Sequence, residues 1–359
     1  MKIGFIGLPK SGKTTLFNVL TCSSAEVSAF STVKAGPNVA AVKIGDERVE
    51  KLAEIYNPKR KVYPTIDIVD LAGVSEGDGK ADAFSGDLMK LARNCEALAI
   101  VLRNFRTDWQ GEPEPLLDLS RIEQELLLAD LIIAEKRLEK IEANSRKGNV
   151  APAQKVEESA LRLIAESLNK SRPAREVDLD QNQELAIRCF QFLMRKPAIV
   201  ILNSGEDRYG KNPEVLSGIS QRYPAVEFAG QFELELSRLD EMSAQAFMED
   251  MGIRESARDR LTGLAYETLG YISFFTVGED EVRAWNIRRG ATALEAAAAI
   301  HTDLARGFIA AECFHYDDLM AAGSDKAVRG NGHFKLVGRD YPVRDGDILS
   351  IRFNVSKTA

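Results

Sequence analysis

Residues 7 to 14 read Gly7-Leu8-Pro9-Lys10-Ser11-Gly12-Lys13-Thr14, the spacing of a phosphate-binding loop. Such a loop bends so that consecutive backbone N–H groups point inward at a phosphate, and a helix starting at its end adds a positive terminus. Leu8, Pro9, Lys10, Ser11 and Gly12 would form the cradle, which Thr15 continues. Lys13 can reach the outer phosphates, and Thr14 can ligate a magnesium ion. From average residue usage, the four fixed positions arise by chance in roughly one such chain in a hundred. The context strengthens the match: the apolar run Ile3-Gly4-Phe5-Ile6 precedes the loop and Thr15–Leu20 reads as a helix. These residues point to a nucleoside triphosphate.

Three further positions fit that ligand. Asp70-Leu71-Ala72-Gly73 ends an apolar run. Behind a phosphate loop, an acidic residue there holds magnesium and the Gly73 N–H meets the terminal phosphate. Val74 follows, where guanine-nucleotide switches commonly use Gln to orient water. Valine has no side-chain hydrogen bond to offer, so slow intrinsic hydrolysis is expected. Asn203-Ser204-Gly205-Glu206 occupies the place of the guanine-reading Asn-Lys-x-Asp, but Ser204 replaces Lys and Glu206 replaces Asp. The device that discriminates guanine is missing, which favours ATP and leaves GTP open. Thr32 is a candidate to close over the γ-phosphate and magnesium, and polar Gly73–Gly86 a candidate switch segment.

The elements that must position these residues alternate through the first third. Strands are expected at Ile3–Ile6, Val39–Ile44, Thr65–Asp70 and Ala97–Leu102, with a fifth at Ala198–Leu202. That is an α/β pattern with a mostly parallel sheet, on which ligands sit beyond the carboxyl ends of strands. Between the fourth and fifth strands, Ile122, Leu126, Ala129 and Ile133 form one helical stripe, and Val156, Ala160, Leu163, Ile164 and Leu168 another. Two long antiparallel helices inserted into the nucleotide domain are expected; helices lying flat on the sheet are the alternative. After Gly270 come a hairpin (Tyr271–Val277, Val282–Ile287), a helix Ala293–Leu304 opened by a Thr292/Glu295 capping box, and strands Glu312–Tyr316, Phe334–Val337 and Ile348–Phe353. The expected domains are 1–116 with 197–270 for nucleotide, 117–196 for the helical hairpin, and 271–359 for a small α+β module.

Composition narrows the class. The 359 residues carry a net charge of −7, which argues against wholesale attraction to nucleic acid. Lys59-Arg60-Lys61 could touch RNA phosphates, or be a solvated basic turn. The four cysteines lie far apart and read as reduced thiols. Met1-Lys2 leads straight into the first strand and no apolar run approaches a membrane span, so a cytoplasmic protein without membrane contact is expected.

Together these motifs resemble the Obg-like ATPase (YchF) family of translation-factor-related nucleotidases. The resemblance rests on Gly7-Leu8-Pro9, Asp70–Gly73, Asn203 with Glu206, and Glu125-Leu126 with Leu128-Ala129-Asp130-Leu131. It is densest late in the chain, in Glu281–Trp285, Gly290–Ala293, Ile300–Asp303, Gly307–Ile309, Tyr316–Asp318 and Arg352–Val355. It implies a P-loop G-domain, a coiled-coil-like helical insert and a terminal TGS-type module of ubiquitin-like β-grasp fold. It also implies ATP hydrolysis with Mg2+, association with the ribosome or a ribosomal subunit, and a hydrophobic residue in place of the catalytic Gln, as at Val74. Ala229-Gly230-Gln231 with Glu233 aligns with the family's last base-contacting loop, and His301 is assigned to structure. The chain departs from the family at Lys10-Ser11, where Asn-Val is usual, and by two extra residues between Thr32 and Pro37-Asn38-Val39. It also lacks a family histidine after the fourth strand, in Arg106–Gln110. A nucleotide-gated binding protein with negligible turnover therefore stands beside the slow ATPase as a reading.

Overall fold

The computed structural model describes residues 1–22, 37–71, 84–107, 111–146, 151–239, 241–250, 252–253 and 255–354. The chain divides into two compact units, Met1–Val42 with Asp67–Ala257, and Lys43–Ile66 with Arg258–Ala359. Its strands are β1 (Lys2–Ile6), β2 (Asn38–Lys43), β3 (Arg60–Val62), β4 (Thr65–Asp70), β5 (Ala97–Asn104), β6 (Ala198–Ser204), β7 (Ala225–Phe228), β8 (Tyr271–Thr276), β9 (Glu281–Arg288), β10 (Phe308–His315), β11 (Lys335–Val337) and β12 (Asp347–Phe353).

The first unit is built on a six-stranded sheet of order β2-β4-β1-β5-β6-β7. From β4 through β7 every neighbouring pair is parallel. β5 and β6 are apolar on both faces, as strands covered from two sides must be. Helix α1 (Lys13–Cys22) follows β1, and α2 (Glu47–Tyr56) lies between β2 and β3. Helix α3 (Gly86–Arg93) leads into β5.

Two long helices follow, α4 (Pro115–Ser145) and α5 (Pro152–Asn169). The short link between them requires antiparallel neighbours. Of the expected stripes, Ile122, Leu126, Ala160, Ile164 and Leu168 are buried, and the rest differ. On α4 the stripe runs Leu119, Ile122, Leu126, Asp130, Ala134 and Ile141, so it passes through Asp130 rather than Ala129 and Ile133. On α5, Leu161 and Ala165 are buried whereas Leu163 faces out. The cause is a polar residue inside the apolar face: a reading by hydrophobicity alone skips Asp130 and shifts the stripe by one position. The helices share one apolar core with Ile6, Leu98, Ile100 and Val200 of the sheet.

The second unit carries a sheet of order β11-β10-β12-β8-β9-β3. The expected hairpin is β8–β9, antiparallel with Phe274 opposite Trp285. Residues 43–66, expected with the nucleotide domain, belong here instead. β3 pairs in parallel with β9 (Arg60 opposite Glu281), and Val49 and Leu52 of α2 pack with Phe275 and Val282. Lys59, Arg60 and Lys61 each stand against a carboxylate, those of Asp280, Glu281 and Glu50.

Helix α6 (Gln181–Ile187) precedes β6, α7 (Pro213–Ser220) lies between β6 and β7, and α8 (Gly230–Leu236), α9 (Glu241–Asp250) and α10 (Ala257–Thr268) follow β7. In the second unit, the expected helix Ala293–Leu304 is two, α11 (Ala293–Ile300) and α12 (Thr302–Arg306). His301 breaks it with extended backbone (φ −164°, ψ 141°), and its Nδ1 accepts from the Asp303 N–H, capping α12. Tyr316, expected in a strand, opens α13 (Tyr316–Ala322), with His315 as its cap; α14 (Asp325–Gly330) follows.

The Thr292/Glu295 capping box forms as expected: the Thr292 N–H donates to Glu295 Oε2 (2.7 Å) and the Glu295 N–H to Thr292 Oγ1 (3.3 Å). Thr292→Ala should therefore lower the stability of the second unit by about 1 kcal/mol. Urea unfolding followed through Trp285 fluorescence, in a Trp109→Phe background, measures it.

Candidate functional site

Gly7 to Thr14 form the turn from β1 into α1 at the carboxyl end of the sheet. Lys10 and Gly12 take left-handed backbone (φ 61° and 94°). Gly12 has no room for another residue, since an added Cβ would collide with Asn203 Nδ2. At Gly7 the Cβ would meet the Val101 carbonyl oxygen at 2.5 Å. Only glycine at these two positions lets the loop approach β5 and β6 this closely. The first N–H groups of α1 have no intrahelical acceptor, and its first turn carries no acidic residue, so the helix end suits an anion.

Lys13 is buried, and its Nζ donates to the carbonyls of Gly7 (3.0 Å) and Leu8 (2.9 Å). Burial pulls its pKa down to about 8, with the Asp70 carboxylate opposing the shift. Asp70 ends β4 opposite Phe5 of β1 and is almost wholly buried. Thr14 Oγ1 donates to Asp70 Oδ2 at 3.0 Å. A hydroxyl in the first turn of α1 and a carboxylate at the end of β4 are hard oxygen donors of the type magnesium takes, along with water and phosphate oxygens. The donor set therefore fits that ion. Thr32 and Gly73, with Val74, lie outside the described residues.

The Asn203 loop is joined to the phosphate loop directly. Asn203 Nδ2 donates to Ser11 O (3.0 Å), and Asn203 Oδ1 accepts from the Gly230 N–H (3.1 Å). One buried amide thus fixes the ends of β1, β6 and β7 together. Ser204 turns inward, where its hydroxyl accepts from Asn104 Nδ2 (2.8 Å) and donates to Glu227. Glu227 also accepts from Asn212 Nδ2 and the Gly210 N–H, which pins the loop after β6. Glu206 is exposed, and the exposed Gln231 side chain bonds Glu235 on its own helix. The structure brings Lys13, Thr14, Asp70, Ser11, Asn203 and Gly230 together; it does not engage the side chains of Glu206 and Gln231. Glu233, expected beside the last base-contacting loop, accepts from the Ala229 N–H; sequence reasoning passed over Asn104 and Glu227. They are lone polar residues in apolar strands and turns, a signal too generic to single out. Ser11 Oγ is buried without a hydrogen-bond partner among the described residues.

The family described as 50S ribosome-binding GTPase matches residues 2–137, and the one described as YchF-GTPase_C, protein of unknown function, matches residues 271–354. The chain is 35% identical over 362 residues to the ribosome-binding ATPase YchF of Haemophilus influenzae, covering 99% of each chain. The chain belongs to the YchF family of Obg-like ATPases. The YchF of Bacillus subtilis is 33% identical across 98% of this chain and 99% of its own. Obg-like ATPase 1 of Caenorhabditis elegans is 31% identical across 99% of this chain and 92% of its own. A solved structure titled as the Schizosaccharomyces pombe YchF GTPase superposes with a TM-score of 0.86 at 29% identity, covering 98% and 97% of the two chains. YchF membership accounts for the P-loop domain, the helical insert and the β-rich second unit in this order.

The depressed Lys13 pKa has a direct consequence for anion binding. Affinity of the free protein for a triphosphate should fall as pH rises through about 8, approaching about tenfold per pH unit beyond it. Titration with a fluorescent nucleotide reads this; a flat profile up to about pH 10, where an ordinary lysine titrates, contradicts it.

Proposed function

We propose that this chain is a magnesium-dependent ATPase that uses nucleotide to switch its association with the ribosome. The observation that carries the reading is the cluster at the end of β1: a strained loop, a buried ammonium, and the Thr14–Asp70 pair beside it. In binding, Lys13 would leave the carbonyls of Gly7 and Leu8 for the outer phosphates, while the N–H groups of the loop and α1 surround them. Thr14 and Asp70 would hold Mg2+, which neutralises charge on the β- and γ-phosphates. The curated relatives in bacteria are named ribosome-binding ATPases, which supports both the reaction and the partner. A ribosomal partner implies a cytoplasmic protein; no helix among the described residues is long and apolar enough to cross a membrane.

ATP is favoured over GTP by two side chains. A guanine site needs a carboxylate aimed at N1 and N2 and a lysine stem over the ring. Here Ser204 is drawn into the buried Asn104–Glu227 network and Glu206 stays exposed. The base is then held by the loops at Asn203 and Gly230 and not read through a guanine-specific pair. We further propose that residues 271–354 form the TGS-type module, with the first unit, including the α4–α5 hairpin, as the nucleotide-responsive part.

Competition of ATP and GTP for one fluorescent nucleotide tests the reading, with ATP expected to displace it at the lower concentration. Lys13→Ala should weaken ATP binding by about 30-fold or more, the loss expected for a buried charge partner. Unaltered affinity would remove the central argument. Without a Gln at position 74, purified protein should hydrolyse ATP at a rate on the order of 10⁻⁴ to 10⁻² s⁻¹. A single-turnover assay with and without ribosomes measures that rate.

A further inference from the structure

The Glu125–Leu131 stretch of α4 has no part in holding nucleotide, yet it contains the most deeply buried carboxylate of that helix. Asp130 is fully buried. Its Oδ1 accepts from Arg93 Nη1 (2.7 Å) and the Leu193 N–H (3.0 Å), and its Oδ2 accepts from the Met194 N–H (2.8 Å). Arg93 is the last residue of α3. Its guanidinium also donates to Ala129 O (3.1 Å) and Gln191 O (3.2 Å). Two side chains thus bind three segments: the end of α3, the middle of α4, and the return of the chain into β6. Alongside, Lys196 Nζ donates to Cys95 O at 2.6 Å, tying that return to the turn after α3.

The position of this joint in the chain gives it a meaning. Helix α3 is the element that follows Asp70 and the expected γ-phosphate contact at Gly73. Its far end is the end that Asp130 holds. Apolar side chains would pack the same helices at least as stably, so a buried ion pair is poorly explained as mere cement. What it adds is direction. Five hydrogen bonds of fixed geometry do not slide; they move together or break.

We propose that the Arg93–Asp130 pair is the joint through which the nucleotide site controls the α4–α5 hairpin. A shift of α3 must either carry α4 and the 193–194 backbone with it or release them. The hairpin is then the output arm of the switch, and Asp130 a positioning residue that touches no nucleotide. The inference rests on the nucleotide reading above.

The test is hydrogen–deuterium exchange of α4 and α5 peptides in the full chain, with and without Mg-ATPγS, in parallel with the analogue's affinity. Wild type, Arg93→Lys and Asp130→Asn are compared. Arg93→Lys keeps the charge, but an ammonium cannot reproduce the guanidinium fork that serves Asp130, Ala129 O and Gln191 O. In wild type the analogue should change exchange in the hairpin. In either folded variant that change should shrink about fivefold or more, the low end of ordinary coupling, while analogue affinity moves far less. A wild-type hairpin indifferent to bound analogue overturns the proposal even if neither variant folds, and so does an undiminished response in both variants. A merely structural pair would raise exchange equally with and without analogue, leaving the difference between them intact. Failure of the analogue to bind would instead sink the nucleotide reading, and this inference with it.

Discussion

Asn203 has one side-chain amide, and the nucleotide half of this protein is arranged around it. Its two polar atoms reach Ser11 O on one side and the Gly230 N–H on the other, in a setting with almost no solvent. A buried amide that loses either partner bears the full desolvation cost of the orphaned group, about 1–3 kcal/mol. The loop after β1, the end of β6 and the start of α8 are therefore held in register by a penalty rather than by bulk packing. Gly12 is glycine because this amide occupies the space where a side chain would begin.

The same economy of polar contacts governs the helical insert. Hydrophobic burial fastens α4 and α5 to each other and to the sheet in one core, but burial is non-directional. Directional information enters through Asp130 and through the surface pairs Arg137–Glu157 and Arg162–Glu142 between the two helices. The surface pairs are partly exposed and individually weak. Asp130 is where orientation is strongly specified.

Much of this was legible in the chain. The phosphate loop, the strands bearing Asp70 and Asn203, and the capping box at Thr292 follow from local chemistry that neighbours within a few residues decide. What stayed hidden depends on distant partners. β3 is only Arg-Lys-Val, too short and polar to show alternation, and it becomes a strand because β9 offers an edge. The break at His301 is invisible to periodicity, because apolar Leu304 and Ala305 continue the helical spacing past the Ala-rich stretch while the imidazole caps the second helix. Asn203 was expected from its place in a base-reading motif; its contacts with Ser11 and Gly230 tie the loop down from beneath, which no spacing rule announces. The carboxylates of Asp130 and Glu227 carry no local signal of their burial, since charged side chains on a helix or a strand end are ordinarily solvated.

Lys13 rests on two carbonyl oxygens of its own loop. An ammonium with somewhere to return is not stranded when its guest departs. In the nucleotide role proposed for this loop, the grip on a phosphate chain would be a difference between two good sets of contacts, not the whole strength of one. In the proposed role, an anion that draws Lys13 away must therefore offer it more than these two carbonyls do, so the loop's own backbone sets a threshold on what it would hold.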